Sequence, residues 1–238
     1  MIFDKTVEEV LDENYVYARA LHYLGINFFE TKDLRLVDLC TEFQIQEDQL
    51  VKAFYLFDTQ NRIPFNTLQE YPLPLLLKFL RHAHQQFIKE KLPFIVQLIG
   101  QSSDGHKSWM GLLPEFIEDF IKHIHEEEDT TFAYIETLLM VKEGQYASPY
   151  KALVPHRHFS LEDEVEAHGD EDELAGINKI VSQIDGNLLV NRILIKEVNA
   201  FNREMVYHSE IENKIFFPKA LQLEKSVNKQ LAHLSKLN

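Results

Sequence analysis

Two His-x-x-x-Glu pairs, His123 with Glu127 and His208 with Glu212, are the residues whose types and spacing point most directly to chemistry. Four residues are slightly more than one helical turn, so each pair sets an imidazole and a carboxylate on one helix face. One such pair by itself reads as an ordinary surface ion pair. Both pairs here fall on apolar stripes. Val198, Phe201, Met205 and Ile215 share the face of His208 and Glu212, while Leu113, Phe116, Phe120, Thr131 and Tyr134 share that of His123 and Glu127. Polar groups aimed into a core are costly without partners, and a metal ion satisfies an imidazole and a carboxylate together.

Two more histidines join them. Leu73, Leu77, Leu80, His84, Phe87, Ile88 and Ile95 form a helical stripe, which places His84 on the buried face and turns His82 away from it. His168 aligns with Val165 on a third pattern, where Gly169 marks a local irregularity. Four imidazoles and two carboxylates suit two divalent ions, with glutamates from two helices as bridges and histidines terminating each ion. This mixed nitrogen and oxygen set favours iron, with manganese and zinc as alternatives. His82, His125, His156 and His158 read as solvated, and His106 as a loop histidine that could act as a gate. Of the acidic run Glu126 to Asp129, Glu127 alone is in phase with the core.

Four long helices must position this set. They are expected over about 75–99, with Pro93 kinking or breaking the first; over about 112–141; from Ser160, where Ser-Leu-Glu-Asp resembles a capping box, to Gly186; and from about 187 to 213 or beyond, with Pro218 disturbing the last. Facing their apolar sides inward gives an all-α, up-down-up-down four-helix bundle. Residues 1–62 read as a small helical domain, with Thr6 as N-cap and Gly25 as C-cap, residues 63–74 as a proline-containing linker, and 75–238 as the bundle.

The composition agrees with helices: 8 glycines and 8 prolines in 238 residues leave little for a turn-rich β architecture. The formal charge of −14 argues against nucleic acid or an anionic membrane surface as partner and suits a protein that gathers cations. A single cysteine, Cys40, excludes an intrachain disulfide and a cysteine-ligated cluster within one chain. With no signal peptide pattern and no continuous apolar span, the expected location is the cytoplasm.

The segments HIHEEEDTTFAYI at 123–135 and HSEIENKIFFPKAL at 208–221 resemble the two halves of the hemerythrin-like HHE cation-binding domain. RHAHQQFIKEKLPFI at 81–95 is similar to its first helix and EAHGDEDELAGI at 166–177 to its third, so the resemblance covers roughly 72–220. The preceding segment, TVEEVLDENYVYARALHYLGINFFETKDLRLVDLCTEF, looks like the small domain of the repair of iron centres family, the di-iron iron–sulfur cluster repair proteins. Two departures stand out. Asn27, Phe28, Phe29 and Glu30 follow Leu-Gly-Ile where that family carries a Cys-Cys pair and glycines, and Ala167 replaces the usual glutamate before the third-helix histidine.

The resemblance implies two iron ions joined by an oxo or hydroxo group, each with two histidines, and bridged by Glu127 and Glu212. It implies a role in nitrosative or oxidative stress, either repairing damaged iron–sulfur proteins or binding and reducing nitric oxide, dioxygen or peroxide. A sensor or regulatory binding module without turnover is the alternative, and the missing Cys-Cys pair favours it.

Overall fold

The computed structural model describes residues 2–57, 63–101, 109–169, 184 and 186–236, with the side chains of 109–113, 168, 169 and 235 outside that description. The fold is all-α: among the described residues there is no strand. The chain divides into two compact units. The first comprises 1–62, 92–106 and 179–201, and the second 63–91, 107–178 and 202–238.

In the first unit, α1 (Val7–Glu13) begins at a capping box. The Thr6 side chain accepts from the Glu9 N–H, and the Glu9 carboxylate accepts from the Thr6 N–H. α2 (Tyr17–Tyr23) ends before Gly25, whose φ of +74° is the left-handed conformation that a residue with Cβ resists. α3 (Leu36–Glu42) buries Cys40, and α4 (Glu47–Phe57) stacks Phe54 on Tyr17 at 4.2 Å between ring centroids. Phe28, in the segment where the resemblance leads one to expect a Cys-Cys pair, is 2% exposed and meets Phe29 edge to face. Burial, helped by Glu47, pushes the Cys40 thiol up, away from the reactive thiolate.

The second unit carries the candidate site. α5 (Phe65–Glu70) and α6 (Leu73–Gln86) place Leu68, Leu73, Leu76, Leu77 and Leu80 in its core. A π-helical turn, Phe87–Lys91, follows α6 and ends the unit's first segment, and the chain continues as α7 (Leu92–Gln101), which belongs to the first unit. α8 (Trp109–Glu127) passes through a second π turn, Glu128–Phe132, into α9 (Ala133–Lys142). α10 (Pro149–Leu153) and a 3-10 turn at Val154–His156 interrupt the irregular connection expected over 143–160. α11 (Leu161–Gly169) starts as expected at Ser160, whose Oγ accepts from the Asp163 N–H at 3.3 Å. α12 (Leu189–Ile211), whose residues from 202 onward belong to this unit, runs through a third π turn, Glu212–Phe216, into α13 (Phe217–Lys236), which packs along α9. Phe132, Phe216 and Phe217 are wholly buried among these elements.

The three π turns have local causes. Pro93 and Pro218 each stand two residues beyond one, and a proline lacks the N–H that would bond the carbonyl four back and clashes with that carbonyl. Residues 89 and 214, which carry those carbonyls, lie inside the widened turns. The expected break at Pro93 is therefore found as a π turn just before it. In the middle turn, Thr130 Oγ1 donates to the Glu126 carbonyl at 2.5 Å, a side-chain bond that competes with the helical ladder. Such single π turns recur at functional sites.

Candidate metal centre

Each π turn adjoins a residue with metal-ligating chemistry. His84 lies one turn before the first, Glu127 immediately precedes the second, and Glu212 opens the third. His84, Glu127, His208 and Glu212 are 3%, 3%, 5% and 1% exposed, and one ligand atom from each lies within 4.8 Å of all the others. His84 Nε2 is 2.9 Å from His208 Nε2 and 3.4 Å from Glu127 Oε2, while His208 Nε2 is 2.9 Å from Glu212 Oε1.

Phe132 stacks flat on the His84 ring, 5.3 Å between centroids with 3° between planes, and Phe87 meets His208 edge-on at 5.6 Å. These aromatic contacts fix both ring planes. The four residues line a small cavity together with Phe87, His123, Ile124, Met205 and Ser209.

A second layer surrounds His84. Its Nδ1 lies 2.9 Å from Glu128 Oε1, and Arg81 Nε donates to Glu128 Oε2 at 2.9 Å. The same guanidinium reaches both oxygens of Glu136 at 3.4 and 3.2 Å. Burial would lower the basicity of His84, but Glu127 and Glu128 on its two nitrogens, with Glu212 nearby, push it up to about 9. Burial and the Glu212 charge push Glu127 up, against the pull of His84 and His208. Burial would also raise Glu128, yet His84 and Arg81 hold it below its ordinary value.

The donor set fits a metal. Two buried carboxylates whose charges oppose each other converge with two imidazoles, and a cation is the group that relieves such an arrangement. His208 Nδ1 is buried with no hydrogen-bond partner among the described residues.

His84, Glu127, His208 and Glu212 come together. His123 lines the same cavity from a half-buried position, because the buried phase of α8 passes through Phe120 and Ile124. His168 belongs to α11, and its side chain lies outside the described residues, as does the loop with His106. His82, His125 and His158 are exposed, whereas His156 is half-buried, with its Nε2 3.2 Å from Thr137 Oγ1. Glu128 and Arg81 escape a helical-period reading. The local signals for them are the Glu-Glu-Glu run ahead of two threonines, and an arginine one turn before His84.

No family model matches the chain. It is similar to proteins named iron–sulfur cluster repair protein YtfE. The protein from Yersinia pestis (strain Pestoides F) is 24% identical over 164 residues, covering 66% of this chain and 69% of the relative. The protein from Yersinia pseudotuberculosis (serotype O:1b, strain IP 31758) matches with the same identity and coverage. The chain thus resembles repair of iron centres proteins, and its buried His/Glu group is one that could hold a metal ion. Among the described residues no helix is long and apolar enough to cross a membrane.

Proposed function

We propose that the chain is a cytoplasmic non-haem di-iron protein of nitrosative and oxidative stress that acts in the repair of damaged iron–sulfur proteins. The observation that supports this most is the convergence of two buried glutamates and two buried histidines on one cavity, in a chain similar to proteins named for iron–sulfur cluster repair. His84, Glu127, His208 and Glu212 would hold the metal, with His123 and His168 completing the set for two ions. When bound, the iron pair supplies a redox-active site open to a small ligand such as nitric oxide, dioxygen or peroxide.

The protein's own part is enclosure and aim. Phe87, Ile124 and Met205 give the cavity apolar walls that limit water, and Phe132 holds the plane of His84. A second reading, a sensor or regulatory module without turnover, is favoured by one observation. The first unit buries Phe28 where the family has thiols, and its one cysteine is buried in α3.

Anaerobic reconstitution with ferrous iron, followed by metal analysis, tests the premise. About two irons per chain are expected from this ligand set, and fewer than about one would overturn the reading. The loaded protein is then given an oxidatively damaged [4Fe–4S] protein, and separately nitric oxide or peroxide with a reductant. Recovery of cluster absorbance supports repair. A spectral shift that saturates without consuming the ligand, and without cluster recovery, selects the sensor.

A further inference from the structure

We infer that Glu128, clamped by Arg81, is the positioning residue that fixes the tautomer and aim of His84 toward the metal site. The inference rests on the metal-binding reading above and deepens it. Adjacent glutamates serve opposite nitrogens of one imidazole: Glu127 Oε2 stands 3.4 Å from His84 Nε2, and Glu128 Oε1 stands 2.9 Å from His84 Nδ1. An ionised carboxylate only accepts hydrogen bonds, so Nδ1 carries a proton and donates it to Glu128. The lone pair available to a metal then belongs to Nε2, the nitrogen that faces His208 and Glu127.

Glu128 is itself held at both oxygens, Oε1 by His84 and Oε2 by Arg81. Arg81 shares α6 with His84 one turn earlier, and Glu136 on α9 grips the far side of its guanidinium. The chain Glu136–Arg81–Glu128–His84 therefore ties the imidazole to two neighbouring segments of the same unit. Carboxylates in this outer position orient a ligating histidine and raise its basicity. His208 differs, since its Nδ1 has no hydrogen-bond partner among the described residues. Of the two central histidines, His84 is the one held in advance.

The test uses the full chain, stripped of metal and titrated with cobalt(II) as an optical probe, alongside zinc-loaded protein labelled with ¹⁵N-histidine. In the wild type His84 is expected to be protonated at Nδ1 and metallated at Nε2. Glu128→Ala is expected to weaken cobalt binding by ~10–100-fold and to lose that His84 nitrogen pattern. Glu128→Gln, which keeps an accepting oxygen and the side-chain volume, is expected to recover the pattern and part of the affinity. It also serves if the alanine variant fails to fold. Glu126→Ala, which alters an exposed neighbour paired with Lys122, is the control and is expected to change neither readout. A wild type that binds neither cobalt nor zinc rejects the metal reading and this inference with it. A wild type that binds both, with affinity and His84 pattern unchanged in Glu128→Ala relative to the control, overturns the inference alone; where the alanine variant does not fold, undiminished affinity in Glu128→Gln does so.

Discussion

His84 Nε2 and His208 Nε2 face each other at 2.9 Å, a separation that requires one nitrogen to donate and the other to accept. Two such nitrogens brought together in a buried site, each also near a glutamate, suit a shared electrophile better than a lone proton. His208→Ala removes one nitrogen and the ring that Phe87 covers. Metal affinity is expected to fall by more than the ~10–100-fold that outer-layer changes cost, with the helical circular dichroism retained. Metal content equal to the wild type after reconstitution would contradict the assignment of His208 as a ligand.

Glu127 and Glu212 give a thermodynamic handle on the same site. Both are buried, and the charge of one opposes ionisation of the other. A cation bound by the native state alone adds stability of about 2.7 kcal/mol at a hundredfold excess over its dissociation constant. Ferrous or cobaltous ion should therefore raise the melting temperature of the wild type and leave that of Glu127→Gln/Glu212→Gln unmoved. Scanning calorimetry with and without metal checks this, and an equal rise in both proteins would show that the metal binds elsewhere.

How far the sequence reveals the site depends on which part of the geometry is periodic. His84 separates from His82, and His208 pairs with Glu212, because an α-helix turns by a constant ~100° per residue and the apolar stripes report its phase. That constant also hides Glu128. One residue beyond Glu127, it reads as solvated face, yet at the start of a π turn it reaches the other side of the same imidazole. Pro93 and Pro218 signal that the helices are disturbed, but not that the disturbance becomes a widened turn upstream of each proline. His123 shows the opposite limit. Its spacing to Glu127 is right, and a small shift in phase toward Ile124 leaves it at the cavity wall.

His156 offers a pH test away from the ligands. Burial lowers its basicity below the ordinary value, and its ring packs 5.3 Å from that of Tyr134 while its Nε2 meets Thr137. The unfolded chain thus takes up a proton before the folded one does. The stability this neutral imidazole contributes is present above the ordinary histidine value of about 6.5 and declines as pH falls below it. Urea unfolding at pH 7.5 and 5.5 should show a larger loss for the wild type than for His156→Asn. Parallel losses would mean that His156 titrates alike in both states.

Pro218 allows the π turn that opens with Glu212 to be tested for function separately from stability. The proline denies residue 214 its ordinary helical hydrogen bond, and the widened turn absorbs the defect. Pro218→Ala restores an N–H and removes the ring clash, so the segment can return toward a regular α-helix. Proline in a helix interior costs up to ~3 kcal/mol relative to alanine, so stability should stay level or rise. Rewinding the turn rotates Glu212 relative to His208, now 2.9 Å from it, and metal affinity should fall about tenfold. Lower affinity together with equal or higher stability is a combination that simple loss of packing does not produce. A variant that is less stable, or that binds metal as tightly as the wild type, would detach the π turn from the site.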